Sequence, residues 1–331
     1  MAIIDSGVEW HYPDLQTNST PYGCNTGDKL NSTRFGLRPN INGGEPSDYM
    51  KNYNWVTAQE CGHGTCVASI LSAGLNNDSR HMPGFWDGYD VAGIAPLCRY
   101  FPIAVKCKYI VDQQGSHFGG PFMSAAINAL TVVGSVKRIY DCNRTLLGLG
   151  APYYNIEIVN CNVTTNVWNS SLYQEVCNLN PYVNIISPSG NDPRCDRSEY
   201  PGAFYWQTGV MSIGGYSEIG QVLGNYSTDI TVFAPSVNFP ALDLVGVNQR
   251  GEQLGFVSDT QGNVNLAVSG TCYATPHVSG VAALLVSNNP ILTPQQVKAC
   301  IRQHATPLPP DPTHNDLVFL HLDAYRALSG T

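Results

Sequence analysis

Short, nearly unbroken runs of aliphatic and β-branched residues alternate along the chain with stretches in which small and apolar side chains recur at helical spacing. The apolar runs are residues 2–4, 100–105, 156–159, 183–187, 210–213 and 230–233. Runs of this kind predict strands buried on both faces, as in a parallel sheet. Helical spacing predicts helices over 65–72, 122–133, 172–179 and 275–287. A further helix is predicted over 294–303, with Thr293 as its N-cap and Pro294 at the first helical position. Strand and helix in alternation predict an α/β fold with a mostly parallel sheet covered on both faces.

Between these elements lie polar stretches rich in Gly and Asn, at 16–54, 76–90 and 248–263, which read as surface loops. Residues 306–315 are Pro-rich and read as a link between the last helical segments. No internal repeat and no long linker divides the 331 residues, so a single domain over 1–331 is expected. Hydrophobic residues make up 43% and charged residues 13%, enough to bury a sizeable core and to exclude global disorder. The formal charge of −8 argues against a general nucleic-acid binder. No apolar run is long enough to span a membrane.

Cysteine changes the picture more than charge does. There are 11, and none forms a CxxC pair, so a zinc site is a poor reading. Ten could form five disulfides, leaving one over. Asn-x-Ser/Thr sequons occur at Asn18, Asn31, Asn77, Asn143, Asn162, Asn169 and Asn225. Cysteines, sequons and few charges together point to an extracellular or secretory setting. An intracellular protein with buried thiols is the alternative. Met1 leads straight into an apolar strand with no charged leader. Upstream sequence is therefore expected to be missing.

Three motifs carry candidate chemistry. Ile3-Ile4-Asp5-Ser6-Gly7 puts an acid at the end of a buried strand. Gly62-His63-Gly64-Thr65-Cys66 puts an imidazole between glycines at the mouth of a small-residue helix. Ser269-Gly270-Thr271-Cys272-Tyr273-Ala274-Thr275-Pro276-His277 puts a thiol where the positive end of a helix would favour a thiolate. Acid, His and nucleophile in that chain order is one of the known triad orders. Open parallel sheets carry their sites at the carboxyl ends of strands, so the three can converge there. Ser189-Gly190-Asn191 follows another buried strand and offers an amide donor suited to an oxyanion. Each motif also has a bland reading: a turn acid, a capping His, or a cysteine in a structural disulfide.

These segments resemble the subtilisin family of serine endopeptidases. The resemblance runs from Ile3 to about Leu328 and includes Tyr12-Pro13-Asp14-Leu15, Ala92-Gly93-Ile94-Ala95-Pro96, Tyr200-Pro201 and Ala234-Pro235. It implies a subtilisin-like three-layer α/β sandwich with a central, mostly parallel sheet. It also implies an endopeptidase acting on proteins or peptides, expected as a monomer and needing no cofactor for its chemistry. Asp5 would orient His63, His63 would act as base and then acid, and Asn191 would donate to the oxyanion. His277 would be structural. Asp14 aligns with a calcium ligand of many relatives, so a structural calcium is implied there; a turn acid after Pro13 is the other reading.

The sequence also departs from the family. Cys272 stands where the family has its nucleophilic serine. It reads as a working cysteine nucleophile, as the mark of a pseudoprotease that binds without efficient cleavage, or as an engineered replacement. A thiolate is a better leaving group than an amine, so amide cleavage should suffer more than ester or thioester chemistry. The strand expected to pair with substrate carries Asn162-Val163-Thr164-Thr165 where the family usually has glycines. Ser187, Pro188, Ser189 and Gly190 form the expected opposite wall. Two β-branched threonines would restrict the first specificity pocket, and a glycan at Asn162 would block it.

Overall fold

The computed structural model describes residues 1–5, 7–8, 15, 22–25, 34–37, 58–74, 92–105, 107–111, 117–121, 123–147, 155–237, 242–243, 255–256, 269–309 and 317–330. In chain order the described elements begin with β1 (Ala2–Asp5), β2 (Tyr22–Asn25), β3 (Arg34–Leu37), α1 (Ala58–Ser72), β4 (Phe101–Ala104), β5 (Cys107–Val111) and β6 (His117–Pro121). They continue with α2 (Met123–Leu147), β7 (Ile158–Cys161), α3 (Ser170–Leu179), β8 (Asn184–Pro188), β9 (Val210–Tyr216), β10 (Val222–Leu223) and β11 (Val232–Pro235). The last are β12 (Leu242–Asp243), β13 (Gly255–Phe256), α4 (Thr271–Asn288), α5 (Pro294–Gln303), β14 (Thr306–Pro307), β15 (Leu320–His321) and α6 (Ala324–Ser329).

The chain divides into two compact units. One holds residues 1–2, 127–237 and 269–331; the other holds 3–126 and 238–268. In the first, β7, β8, β9, β11 and β15 lie side by side in that order. Every neighbouring pair among them is parallel, with Asn160 opposite Ile186 and Ser187 opposite Ser212. Only β10 and β14 add antiparallel edges. Every residue of β7 and β8 is buried, which is why both read as continuous apolar runs rather than alternating ones. α4 packs across β7, β8, β9 and β11. It is apolar or small nearly all round, as a buried helix must be. In the second unit β4 and β2 run parallel, β2 and β3 antiparallel, and β5 with β6 forms a separate antiparallel pair.

The expected strands are present with boundaries shifted by a few residues, but three helices differ in extent. α1 begins before His63, because Gly62 and Gly64 sit inside the helix instead of ending it. α2 runs on to Leu147, through a polar stretch in which Lys137 pairs with Asp141 one turn away at 3.5 Å. α4 begins at Thr271, ahead of the expected 275, with Pro276 inside it. Pro276 has no N–H to close onto the carbonyl of Cys272. Thr275 Oγ1 instead reaches back to Thr271 O at 2.9 Å. α5 is capped as expected: Thr293 accepts from Gln296 N, and the Gln296 side chain returns to the Thr293 amide at 2.8 Å. The stretches 16–54 and 248–263, expected as loops, contain β2, β3 and β13. Residues 76–90 lie outside the described residues.

Candidate active site

Asp5 is the last residue of β1 and is 4% exposed. Its Oδ1 lies 2.8 Å from Nδ1 of His63, whose side chain is 37% exposed. A carboxylate at that nitrogen fixes the proton on Nδ1 and leaves the Nε2 lone pair for chemistry. The approach depends on Gly64. A Cβ there would overlap Gly7 O and come within 3.1 Å of Asp5 Oδ1. Asp5 is held at its backbone as well, where Val105 N donates to Asp5 O at 2.7 Å. Gly64 therefore serves close packing against the strand end, which the sequence motif alone leaves undecided.

Cys272 occupies the first turn of α4 as a half-buried free thiol. Its neighbour Thr271 ties the helix start to the other expected group. Thr271 N donates to Asn191 Oδ1 at 2.9 Å, and Thr271 Oγ1 lies 3.0 Å from the same oxygen. A backbone N–H can only donate, so this contact assigns the carboxamide: the oxygen faces Thr271 and the NH₂ faces away from it. Asn191 itself is exposed. His277, one turn further along α4, is buried, and its Nδ1 donates to Tyr273 O at 2.9 Å. Burial pushes its pKa down to about 4, so it is a neutral structural imidazole at pH 7.

The expected substrate strands are joined by a crosspiece that sequence reasoning missed. Thr165 and Tyr200 pair by two backbone hydrogen bonds, at 3.0 and 2.8 Å. Next to Tyr200, Glu199 N donates to Ser189 O at 2.8 Å. Residues 199–200 thus tie the end of the 162–165 segment to the 187–190 wall. Val163 is buried; Asn162, Thr164 and Thr165 are half-buried. Ser187, Pro188, Ser189 and Gly190 are buried, and Ser187 Oγ has no hydrogen-bond partner among the described residues.

Other expectations fare differently. Asp14, the expected calcium ligand, lies outside the described residues. The expected five disulfides are not formed: Cys98, Cys177, Cys195, Cys272 and Cys300 are free thiols, which leaves too few of the 11 cysteines for five pairs. Cys272 is therefore not the single leftover thiol that the odd count suggested. Among the free thiols, Cys300 Sγ donates to Ala327 O at 3.3 Å. Two sequons have structural duties. Asn169 caps α3 by accepting from Leu172 N at 3.0 Å, and Asn225 is 1% exposed with both ends of its carboxamide hydrogen-bonded. Among the described residues no helix is long and apolar enough to cross a membrane.

The profile of the subtilase family, Peptidase S8, matches residues 1–320. The chain belongs to the subtilase family. A thermostable alkaline protease of Halalkalibacterium halodurans is 28% identical over 309 residues, covering 92% of this chain and 62% of that one. An extracellular protease of Xanthomonas campestris is 24% identical, covering 93% and 47%. The chain thus spans less than two thirds of the length of these curated relatives. Among solved structures, a protease of Pseudoalteromonas arctica superposes with a TM-score of 0.60 at 20% identity, covering 99% of this subtilase and 88% of that protein. The fold is therefore the subtilisin-like α/β fold that the sequence resemblance implied.

Proposed function

We propose that this subtilase is an endopeptidase whose acyl transfer runs through Cys272, His63, Asp5 and Asn191. The observation that carries this reading is the start of α4, where a free thiol and an amide donor are linked through Thr271. The Asp5–His63 pair supplies the remaining function, a base with its proton fixed on Nδ1. His63 Nε2 takes the Cys272 proton, and Sγ bonds to the substrate carbonyl carbon. The resulting oxyanion accepts from Asn191 Nδ2. The imidazolium then protonates the leaving group, and water, activated by His63, releases the acid from the thioester. No step requires a cofactor, and one chain supplies all four groups, which supports action as a monomer. A structural calcium at Asp14 is compatible with this chemistry and takes no part in it.

Sulfur alters the balance. The tetrahedral adduct expels thiolate more readily than an amine, and its longer bonds displace the acyl carbon in a site shaped for oxygen. Peptide thioesters and esters are accordingly the better substrates. A second reading, a peptide-binding pseudoprotease, is supported by a different observation. Thr164 and Thr165 are half-buried, and the Thr165 backbone is paired with Tyr200, which is in keeping with a restricted first pocket. The sequons and a relative named as an extracellular protease support a secretory route. The free thiols weaken the disulfide part of that reading.

The decisive experiment compares hydrolysis of one peptide as amide and as thioester by the wild type and by Cys272→Ser. The expected result is thioester turnover in the wild type and a gain in amide cleavage of roughly 100-fold in the variant. Iodoacetamide labelling of Cys272 should lose its pH profile in His63→Ala. No turnover by either protein on either substrate, with peptide still bound, would establish the pseudoprotease. In that case Thr164→Gly with Thr165→Gly should restore cleavage if the pocket is the obstacle.

A further inference from the structure

Asn225 looks like a glycosylation site in sequence and behaves like a keystone in the fold. It is 1% exposed. Its backbone N donates to Gly190 O at 3.0 Å, and its Oδ1 accepts from Asp192 N at 2.8 Å. The residue before Asn191 and the residue after it are therefore both held by Asn225. The other end of the carboxamide, Nδ2, donates to Arg197 O at 2.8 Å, which fixes its orientation. Ser189 Oγ lies 3.4 Å from Asn225 O. Gly190 makes room for this arrangement. At φ +112° it is in glycine's own region, and a Cβ there would stand 2.7 Å from Asn225 Oδ1.

The chemistry requires this residue type. One side chain must accept from an N–H and donate to a C=O at once, in a space closed to water. Asp offers the acceptor and puts charge against a carbonyl. Ala leaves the Asp192 N–H and the Arg197 carbonyl without this partner, and Gln is too long for the gap at Gly190. Thr271 sets which way the Asn191 carboxamide faces; Asn225 sets where its backbone stands.

We infer that Asn225 is a positioning residue for the oxyanion donor Asn191, an assignment that rests on the acyl-transfer reading above. It touches no reacting atom and acts only through the 190–192 segment. Two consequences follow. Its loss cannot cost more than loss of the donor itself, roughly 100- to 1000-fold in turnover, a magnitude measured within this family. In a chain already lacking the donor, its loss costs nothing further in turnover.

The test is a double-mutant cycle on peptide thioester hydrolysis with Asn225→Ala, Asn191→Ala and the pair. Asn225→Ala should lower kcat roughly 10- to 100-fold and leave KM within about twofold. The pair should match Asn191→Ala alone. An unchanged kcat in Asn225→Ala, or independent losses that multiply in the pair, overturns the assignment. A second arm reads the same question without turnover. Affinity for a peptide aldehyde, whose adduct carries an oxyanion, should fall in Asn225→Ala, while the rate of iodoacetamide alkylation at Cys272 stays the same. Equal losses in both mean general damage and overturn it. A wild type that hydrolyses no thioester sinks the peptidase reading, and the aldehyde arm still decides the positioning role. Should the Ala variant fail to fold, hydrogen exchange in the wild type decides: a protected Asp192 amide supports the clamp, and exchange at the rate of an open loop excludes it.

Discussion

The helix that carries His63 and the helix that carries Cys272 place a reactive side chain by opposite means. In α1 the imidazole meets Asp5 by a hydrogen bond, and the bare Cα of Gly64 lies against the end of β1. That arrangement is steric, and it works because nothing intervenes. In α4 the thiol sits among directed hydrogen bonds: Thr271 to Asn191, Thr275 to Thr271 and His277 to Tyr273. Gly270 N, just ahead of the helix, donates to Ser236 O at 3.0 Å. The two ends should therefore fail differently. Added volume should ruin the first, whereas the second should degrade in steps as individual polar contacts are removed.

The largest effect is expected from Gly64→Ala. The new methyl group cannot coexist with Gly7 O, so the helix must withdraw from β1. A loss of about 3 kcal/mol is expected, together with loss of the His63-dependent pH profile of Cys272 alkylation. Urea unfolding and alkylation between pH 5 and 9, on the order of eight points, measure both. A stable variant with the wild-type profile would refute the steric account of α1.

A pH effect of similar size comes from α4. His277 has its pKa pushed by burial from an ordinary 6.5 to about 4. As pH falls, the unfolded chain takes up this proton first. The stabilising effect is complete above about pH 6.5 and is lost between 6.5 and 4. Each pKa unit corresponds to about 1.4 kcal/mol, so the loss should approach roughly 3 kcal/mol. His277→Gln should flatten thermal stability across that window, and an unflattened curve would assign the acid sensitivity to other groups. The smallest effect is expected from Thr271→Val, which keeps the N–H donor and deletes the hydroxyl. About 1 kcal/mol of stability and about five- to tenfold in kcat should go. A loss as large as that of Asn191→Ala would mean the hydroxyl, not the amide, holds the donor.

Much of the architecture is legible in the sequence because burial writes itself as apolar runs. β7 and β8 were visible as Ile158-Val159 and Asn184-Ile185-Ile186, and α5 through Thr293 and Pro294. The Asp5–His63 contact was legible as well, since strand-end acid and Gly-flanked His are local signals. What stayed hidden depends on contacts distant in sequence. Asn225 offers only the pattern of a sequon, and its meaning appears when Gly190 and Asp192 fold against it. Pro276 masked the true start of α4, because a proline reads as a first-turn residue while here the helix accepts it further in. Cysteine count carries no pairing information, so the disulfide expectation had no geometry behind it.

The bond from Thr271 to Asn191 has a mechanical corollary. Thr271 and Cys272 are consecutive, so the turn of helix that bears the thiol also holds the Asn191 carboxamide by a hydrogen bond. A thermal excursion of the start of α4 carries the two together and keeps their spacing. The accuracy that matters here is mutual rather than absolute. Such a pair keeps its register through small motions of the helix start as long as Asn225 holds the 190–192 backbone.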